Sequence, residues 1–260
     1  MQKTALITGA SSGIGYELAK IFAREGYNLV ITARRENRLK PLKEELESTG
    51  KITVHIFPAD LSVADTPKKL HQFVIENNIP VSVLVNNAGI GDYGLFKDSE
   101  WGKLSTMIDL NIKSLTHITH LFIPELLKHP KAYIMNVAST AAFQPGPLMS
   151  VYYASKHYVL AFSEAIANEL HDNEITVSAL CPGPTESEFQ DTANMEKSKL
   201  FDRFPVATSQ EVAEYGFKSL MSGKRVAIYG WMNKISPKFI SLVPRAVVTA
   251  VVRKIQERND

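Results

Sequence analysis

Short runs that are apolar at nearly every position alternate along this chain with longer segments whose apolar residues recur every three or four positions. Residues Thr4–Thr8, Asn28–Ala33, Ile52–Phe57, Val81–Val85, Ala132–Val137, Ile175–Leu180 and Val226–Tyr229 are runs of the first kind. Each is of strand length and apolar on both faces, which predicts strands buried from both sides. Between them lie amphipathic stretches. Ile14, Leu18, Ile21 and Phe22 share one helical face, as do Leu39, Leu42 and Leu46 within Glu36–Thr49. Leu70–Ile75 falls in a further helix, Leu104–Phe122 predicts a long one, and Tyr153–Leu170 another with Val159, Phe162, Ile166 and Leu170 inward. Strand and helix in strict alternation predict an α/β fold: one doubly wound parallel sheet of about seven strands, Rossmann-like, with helices on both faces.

Two regions depart from this rhythm. Pro182–Gln210 is polar and irregular, and a connection that long in a compact domain is usually functional. From Trp231 onward, Val247, Val251 and Ile255 lie four apart, as do Val248 and Val252, beside Arg253, Lys254 and Arg258. This pattern predicts a terminal helix docked on its own domain, with a subunit contact or a membrane-surface helix as the other readings. Residues 1–230 are thus read as one domain that includes the loop at about 182–210. Residues 231–260 are read as a helical extension packed on it.

Composition narrows the partners. The 29 basic and 27 acidic residues of the 260 nearly cancel, leaving no general attraction to nucleic acid or an acidic membrane. The one cysteine, Cys181, ends an apolar strand and reads as a buried thiol, and a chain without a disulfide suits the cytoplasm. The N-terminal MQKTALITGA lacks a secretory layout, and no apolar run reaches membrane-spanning length. His117 and His120 have metal-site spacing, yet no Cys, Asp or Glu nearby completes a set, so no metal is expected.

The first predicted strand runs into TGASSGIG. Gly9, Gly13 and Gly15, with Ser11, Ser12 and Ile14, then form a strand-to-helix turn. Such a turn lets the backbone and the positive end of a helix approach a pyrophosphate. The spacing, Gly-x-x-x-Gly-x-Gly, resembles that of the short-chain dehydrogenase/reductase family. Asn86-Asn87-Ala88-Gly89 after the fourth strand, Asp60-Leu61 after the third and Pro182-Gly183 after the sixth follow in the family's order, from Thr4 to about Tyr229. The resemblance implies that Asp60 and Leu61 lie near an adenine. It also places Asn87, Ala88 and Gly89 along the cofactor, Pro182 and Gly183 beside its nicotinamide, and Thr185 on its carboxamide. The second strand ends Ala33-Arg34-Arg35, with no carboxylate before Glu36. Guanidinium groups there favour the 2′-phosphate of NADP(H) over the free ribose of NAD(H).

Tyr152 and Lys156 stand four apart on one helix face. A lysine cation beside a phenol is expected to lower its pKa and fit it for proton transfer to a carbonyl oxygen. By resemblance, Ser139, thirteen residues before Tyr152, orients the substrate carbonyl. Lys156 also bonds the nicotinamide ribose, and Asn111 helps hold a water in a proton relay. Ala141, Ala142, Phe143 and the segment from Phe201 to Phe204 suggest an apolar pocket wall. The expected activity is NADP(H)-dependent interconversion of a carbonyl and a secondary alcohol on a small, apolar substrate. A nicotinamide-binding redox sensor or scaffold on the same fold is the alternative. Family resemblance, to a subgroup of broad specificity related to 3-oxoacyl and hydroxysteroid reductases, adds a homodimer or homotetramer.

Overall fold

The computed structural model describes residues 3–49, 51–193, 206–240 and 242–257. Its strands β1 (Thr4–Thr8), β2 (Asn28–Ala33), β3 (Val54–Pro58), β4 (Val81–Asn86), β5 (Ala132–Val137), β6 (Ile175–Cys181) and β9 (Val226–Ile228) form one sheet in the order β3-β2-β1-β4-β5-β6-β9. Every neighbouring pair is parallel. The two short strands β7 (Thr185–Glu186) and β8 (Ala207–Thr208) pair separately, as a ribbon inside the segment read from sequence as an irregular loop.

The helices are α1 (Gly13–Arg24), α2 (Glu36–Thr49), α3 (Thr66–Glu76), α4 (Trp101–Ile108), α5 (Leu115–Leu126), α6 (Ser150–Glu169), α7 (Phe189–Thr192), α8 (Ser209–Met221), α9 (Trp231–Ile240) and α10 (Arg245–Gln256). The side-chain period of two decides which helices each strand meets. Ala5, Ile7, Leu29, Ile31, Val83, Val85, Met135 and Val137 face one layer. There they pack with Leu18 and Phe22 of α1, Leu39 and Leu42 of α2, and Val212 and Leu220 of α8. The residues between them, Leu6, Val30, Leu84 and Ile134, face the other layer, with Leu70 of α3, Ile118 and Phe122 of α5 and Ile166 of α6. The uniformly apolar strands follow from this burial on both sides.

The long helix expected over Leu104–Phe122 is not one α-helix. α4 and α5 are joined by a π-helical turn, Asp109–Ser114, which holds Asn111. A π turn carries one extra residue and shifts the following side chains around the axis. The strand order reverses between β1 and β4, so the loops leaving their carboxyl ends diverge and open a crevice.

Candidate active site

A cleft of about 440 Å³ opens at those carboxyl ends. Its floor at one end is the glycine turn. Gly9 and Gly13 take φ values of +68° and +59°, a region costly for any side chain. A Cβ on Gly15 would sit 2.4 Å from both Asn87 Nδ2 and Gly9 O, so Gly15 packs beneath the cleft rather than lining it. The Thr8 hydroxyl accepts hydrogen bonds from the N–H of Asn87 (2.9 Å) and of Ala88 (3.0 Å), and Asn87 Nδ2 donates to Thr8 O (2.9 Å) and Gly9 O (3.1 Å). The two cofactor segments are thereby stitched together. Ser12 precedes α1 without capping it through its side chain, so the first-turn N–H groups stay available to an anion.

Gly9, Ser11, Ser12, Gly13, Ile14, Arg34, Arg35, Asp60, Leu61, Asn87, Ala88, Gly89, Ser139, Tyr152, Lys156, Pro182, Gly183 and Thr185 all line this cleft. A dinucleotide fits such a cradle: glycines where a Cβ would intrude, helix N–H groups, and cations at the rim. The two arginines differ. Arg34 is exposed and has no hydrogen bond or ion pair among the described residues. Arg35 Nη2 lies within bonding distance of Ser11 Oγ (3.1 Å), Ser12 Oγ (3.2 Å) and the Glu188 carboxylate (2.5 Å). Arg35, first among several contacts, holds Glu188 below its ordinary pKa. Asp60 is turned partly inward, its Oδ1 accepting from Ser62 N (2.9 Å) and Ser62 Oγ (2.7 Å).

At the other end, β5 and α6 bring the polar groups together. The Ser139 side chain lies beside the Tyr152 phenol. Lys156 Nζ donates to Val137 O at 2.8 Å and lies 5.7 Å from the centroid of the Tyr152 ring. The expectation that Lys156 lowers the tyrosine pKa is corrected here. Tyr152 keeps part of its surface open to the cleft, yet protein crowds the phenol closely. Desolvation pushes it up to about 12, and the neighbouring Ser139 hydroxyl opposes that rise. The same crowding pushes Lys156 down to about 8, with Cys181 working weakly the other way. Burial disfavours both charged forms at once, and this outweighs the attraction inferred from spacing. Cys181, buried and pushed up to about 12, is a neutral thiol.

Asn111 does not line the cleft. Its Nδ2 donates to Ile90 O (2.9 Å) and Ser155 Oγ (3.1 Å), and its Oδ1 accepts from Ile90 N (3.0 Å). The π turn thus aims this amide at the loop after β4, where it fixes Ile90 against the cleft. Of the apolar wall expected from sequence, Ala141 and Phe143 line the cleft, Ala142 is buried behind it, and Phe201–Phe204 lies outside the described residues. His117 is half-buried and His120 exposed, and the described residues contain no group of three His, Cys, Asp or Glu able to hold a metal. None of the described helices is long and apolar enough to cross a membrane.

Several lining residues had no role in the sequence reading: Ile90, Met149, Tyr153, Glu188, Phe189 and Asn233. Tyr153 is buried, with Gly146 beneath its ring, where a Cβ would meet ring carbons at 2.2–2.4 Å. Gln256 Nε2 of α10 donates to the Tyr153 hydroxyl, and the Tyr93 hydroxyl donates to Gln256 O. Val248 and Val252 of the same helix join Ala141, Met149 and Tyr153 in one cluster, with Tyr152 and Phe189 against it. Asn233 of α9 lies over Gly183. The extension from Trp231 therefore supplies part of the site, and the spacing of its valines gave no sign of that.

The short chain dehydrogenase family matches residues 3–198 of this chain. Sulfoacetaldehyde reductase of Chromohalobacter salexigens is 38% identical over 194 residues, covering 73% of this chain and 75% of that protein. The 11-beta-hydroxysteroid dehydrogenase-like 4A of Arabidopsis thaliana is 32% identical over 252 residues, covering 94% and 84%. Among solved structures, a short-chain dehydrogenase from Sphingobium yanoikuyae in complex with NADPH superposes with a TM-score of 0.82 at 28% identity, covering 94% of this chain and 97% of that one. A glycine turn, a seven-stranded sheet and a Ser139–Tyr152–Lys156 cluster, together with a family match over most of the length, make this chain an oxidoreductase of the short-chain dehydrogenase family.

Proposed function

We propose that the protein interconverts a carbonyl and a secondary alcohol, using NADP(H) as hydride partner and Tyr152 as proton donor and acceptor. The observation that carries this reading is the meeting of Ser139, Tyr152 and Lys156 at one end of a cleft whose other end is the glycine turn. When bound, the nicotinamide supplies or takes up the hydride. The protein's own work is to hold the carbonyl and meet the charge that develops on its oxygen. Ser139 orients that oxygen. Tyr152, a neutral phenol at physiological pH, is in the acid form that reduction requires. Lys156 stands beside it, its Nζ 5.7 Å from the ring centroid, and Asn111 keeps the loop at Ile90 in place.

Arg34 supports the choice of NADP(H), because its guanidinium lies at the rim with no protein partner among the described residues, while Arg35 is occupied by Glu188. Phe143, Met149, Tyr153 and Phe189 make the substrate end apolar. That wall favours a ring ketone, an aldehyde or an acyl chain over a small anionic substrate. Family resemblance adds a homodimer or homotetramer to the proposal, and sedimentation tests it.

Titration with NADPH and NADH, followed by NADPH oxidation against ketones, aldehydes and 3-oxoacyl thioesters, tests the reading. Tighter binding of NADPH and turnover of apolar carbonyls are expected. Tighter binding of NADH would overturn the assignment to Arg34. Bound NADPH with no turnover across the panel would favour a sensor.

A further inference from the structure

The two C-terminal helices turn only one side to the body of the protein. Ile240, Val248, Val252 and Gln256 face inward. Away from those contacts Trp231, Ile235 and Phe239 follow at four-residue spacing along α9, Leu242 lies in the turn, and Val247 and Val251 flank the inward row of α10. All six are exposed, Leu242 by 82% and Trp231 by 72%. The terminal helix expected to dock does so through the row of Val248 and Val252, while Val247 and Val251 are exposed. Apolar surface concentrated in this way is uncommon on a soluble monomer and marks an interaction site.

Charge identifies the occupant. Residues 231–256 carry five Lys or Arg and no Asp or Glu, leaving 24 basic against 27 acidic residues elsewhere. Arg245 and Lys254 are exposed among the described side chains. A second copy of the same face would bring like charges together. Anionic phospholipid offers both complements, acyl chains for the aromatic and aliphatic groups and phosphates for the cations. Tryptophan at one end suits the headgroup boundary. Helices of 10 and 12 residues reach about 15–18 Å, well short of a bilayer core.

We propose that the outer face of α9 and α10 lies on an anionic membrane surface. The inner face of α10 packs against Met149 and Tyr153, which line the substrate end of the cleft, so this contact brings that end near the lipid. The proposal does not depend on which cofactor or carbonyl the enzyme uses.

Flotation of the full chain with phosphatidylcholine vesicles, with and without phosphatidylglycerol, tests it. Binding is expected only with phosphatidylglycerol and should fall with added salt. Arg245→Glu and Lys254→Glu should each weaken it about fivefold or more, and Phe239→Ser with Leu242→Ser should abolish it. Melting curves and cofactor titration confirm that each variant is folded. A folded wild-type chain that ignores anionic vesicles overturns the proposal. So does the serine variant binding as well as wild type. A concentration-dependent dimer lost in the serine variant, without vesicle binding, overturns it in favour of a second copy.

Discussion

The cofactor end and the substrate end of the cleft are held by different kinds of contact. At the cofactor end, the Thr8 hydroxyl and the Asn87 carboxamide bond directly to backbone groups, and at Gly9 and Gly15 there is no room for a methyl group. At the substrate end, side chains from distant segments pack together: Met149 just before α6 and Tyr153 within it, Phe189 at the start of α7, Val248, Val252 and Gln256 from α10. The first kind of contact tolerates almost no substitution. The second can be recut one side chain at a time, which suits a fold that keeps its cofactor and changes its substrate.

The largest effect should arise where the two ends meet. Tyr152→Phe removes the proton donor and should lower kcat by about 10²–10⁴-fold, with NADPH affinity nearly unchanged. A comparable loss of affinity would mean that Tyr152 belongs to the cofactor end instead. Gly15→Ala comes next. Its Cβ would press on Asn87 and Gly9, so stability should fall by about 2–3 kcal/mol, and NADPH binding should weaken about tenfold or more. Denaturant melts and cofactor titration read both. A variant of wild-type stability would show the turn to be looser than its contacts indicate.

Gln256→Leu should act on the other end alone. The Tyr153 hydroxyl loses a buried partner, at a cost of about 1–3 kcal/mol. KM for apolar carbonyls should change several-fold while cofactor affinity holds, and coupled changes in both would break the comparison. Glu188→Gln is the smallest. The pair with Arg35 is well exposed and worth under about 1 kcal/mol. Because Arg35 lowers the Glu188 pKa, the pair's stabilisation is complete above the ordinary carboxylate pKa and is lost as pH falls through the lowered one. The difference in melting temperature between wild type and variant should therefore close in acid, and a difference that persists there would mean that charge is not its source.

The same contrast explains what the sequence disclosed. The seven strands were legible because burial on both faces leaves a run of apolar residues that needs no distant information. The glycine turn was legible because the positive φ of Gly9 and Gly13 is a local demand that glycine meets without strain. The π turn was not, since Asn111 is held by Ile90 and Ser155, 21 and 44 residues away. The pairing of Arg35 with Glu188 spans 153 residues, and no local pattern encodes it. On α10 the two valine rows have the same spacing and composition, and only the surface presented by Met149 and Tyr153 decides which is buried.

The bond from Gln256 to Tyr153 also has a consequence for synthesis. Those residues are 103 apart in the chain, so a ribosome adding about 5–20 residues per second takes roughly 5–20 s to travel from one to the other. Throughout that interval the glycine turn and its partners are already made, while the support that α10 gives Met149 and Tyr153 does not yet exist. The nascent enzyme acquires its means of holding cofactor before its means of selecting substrate.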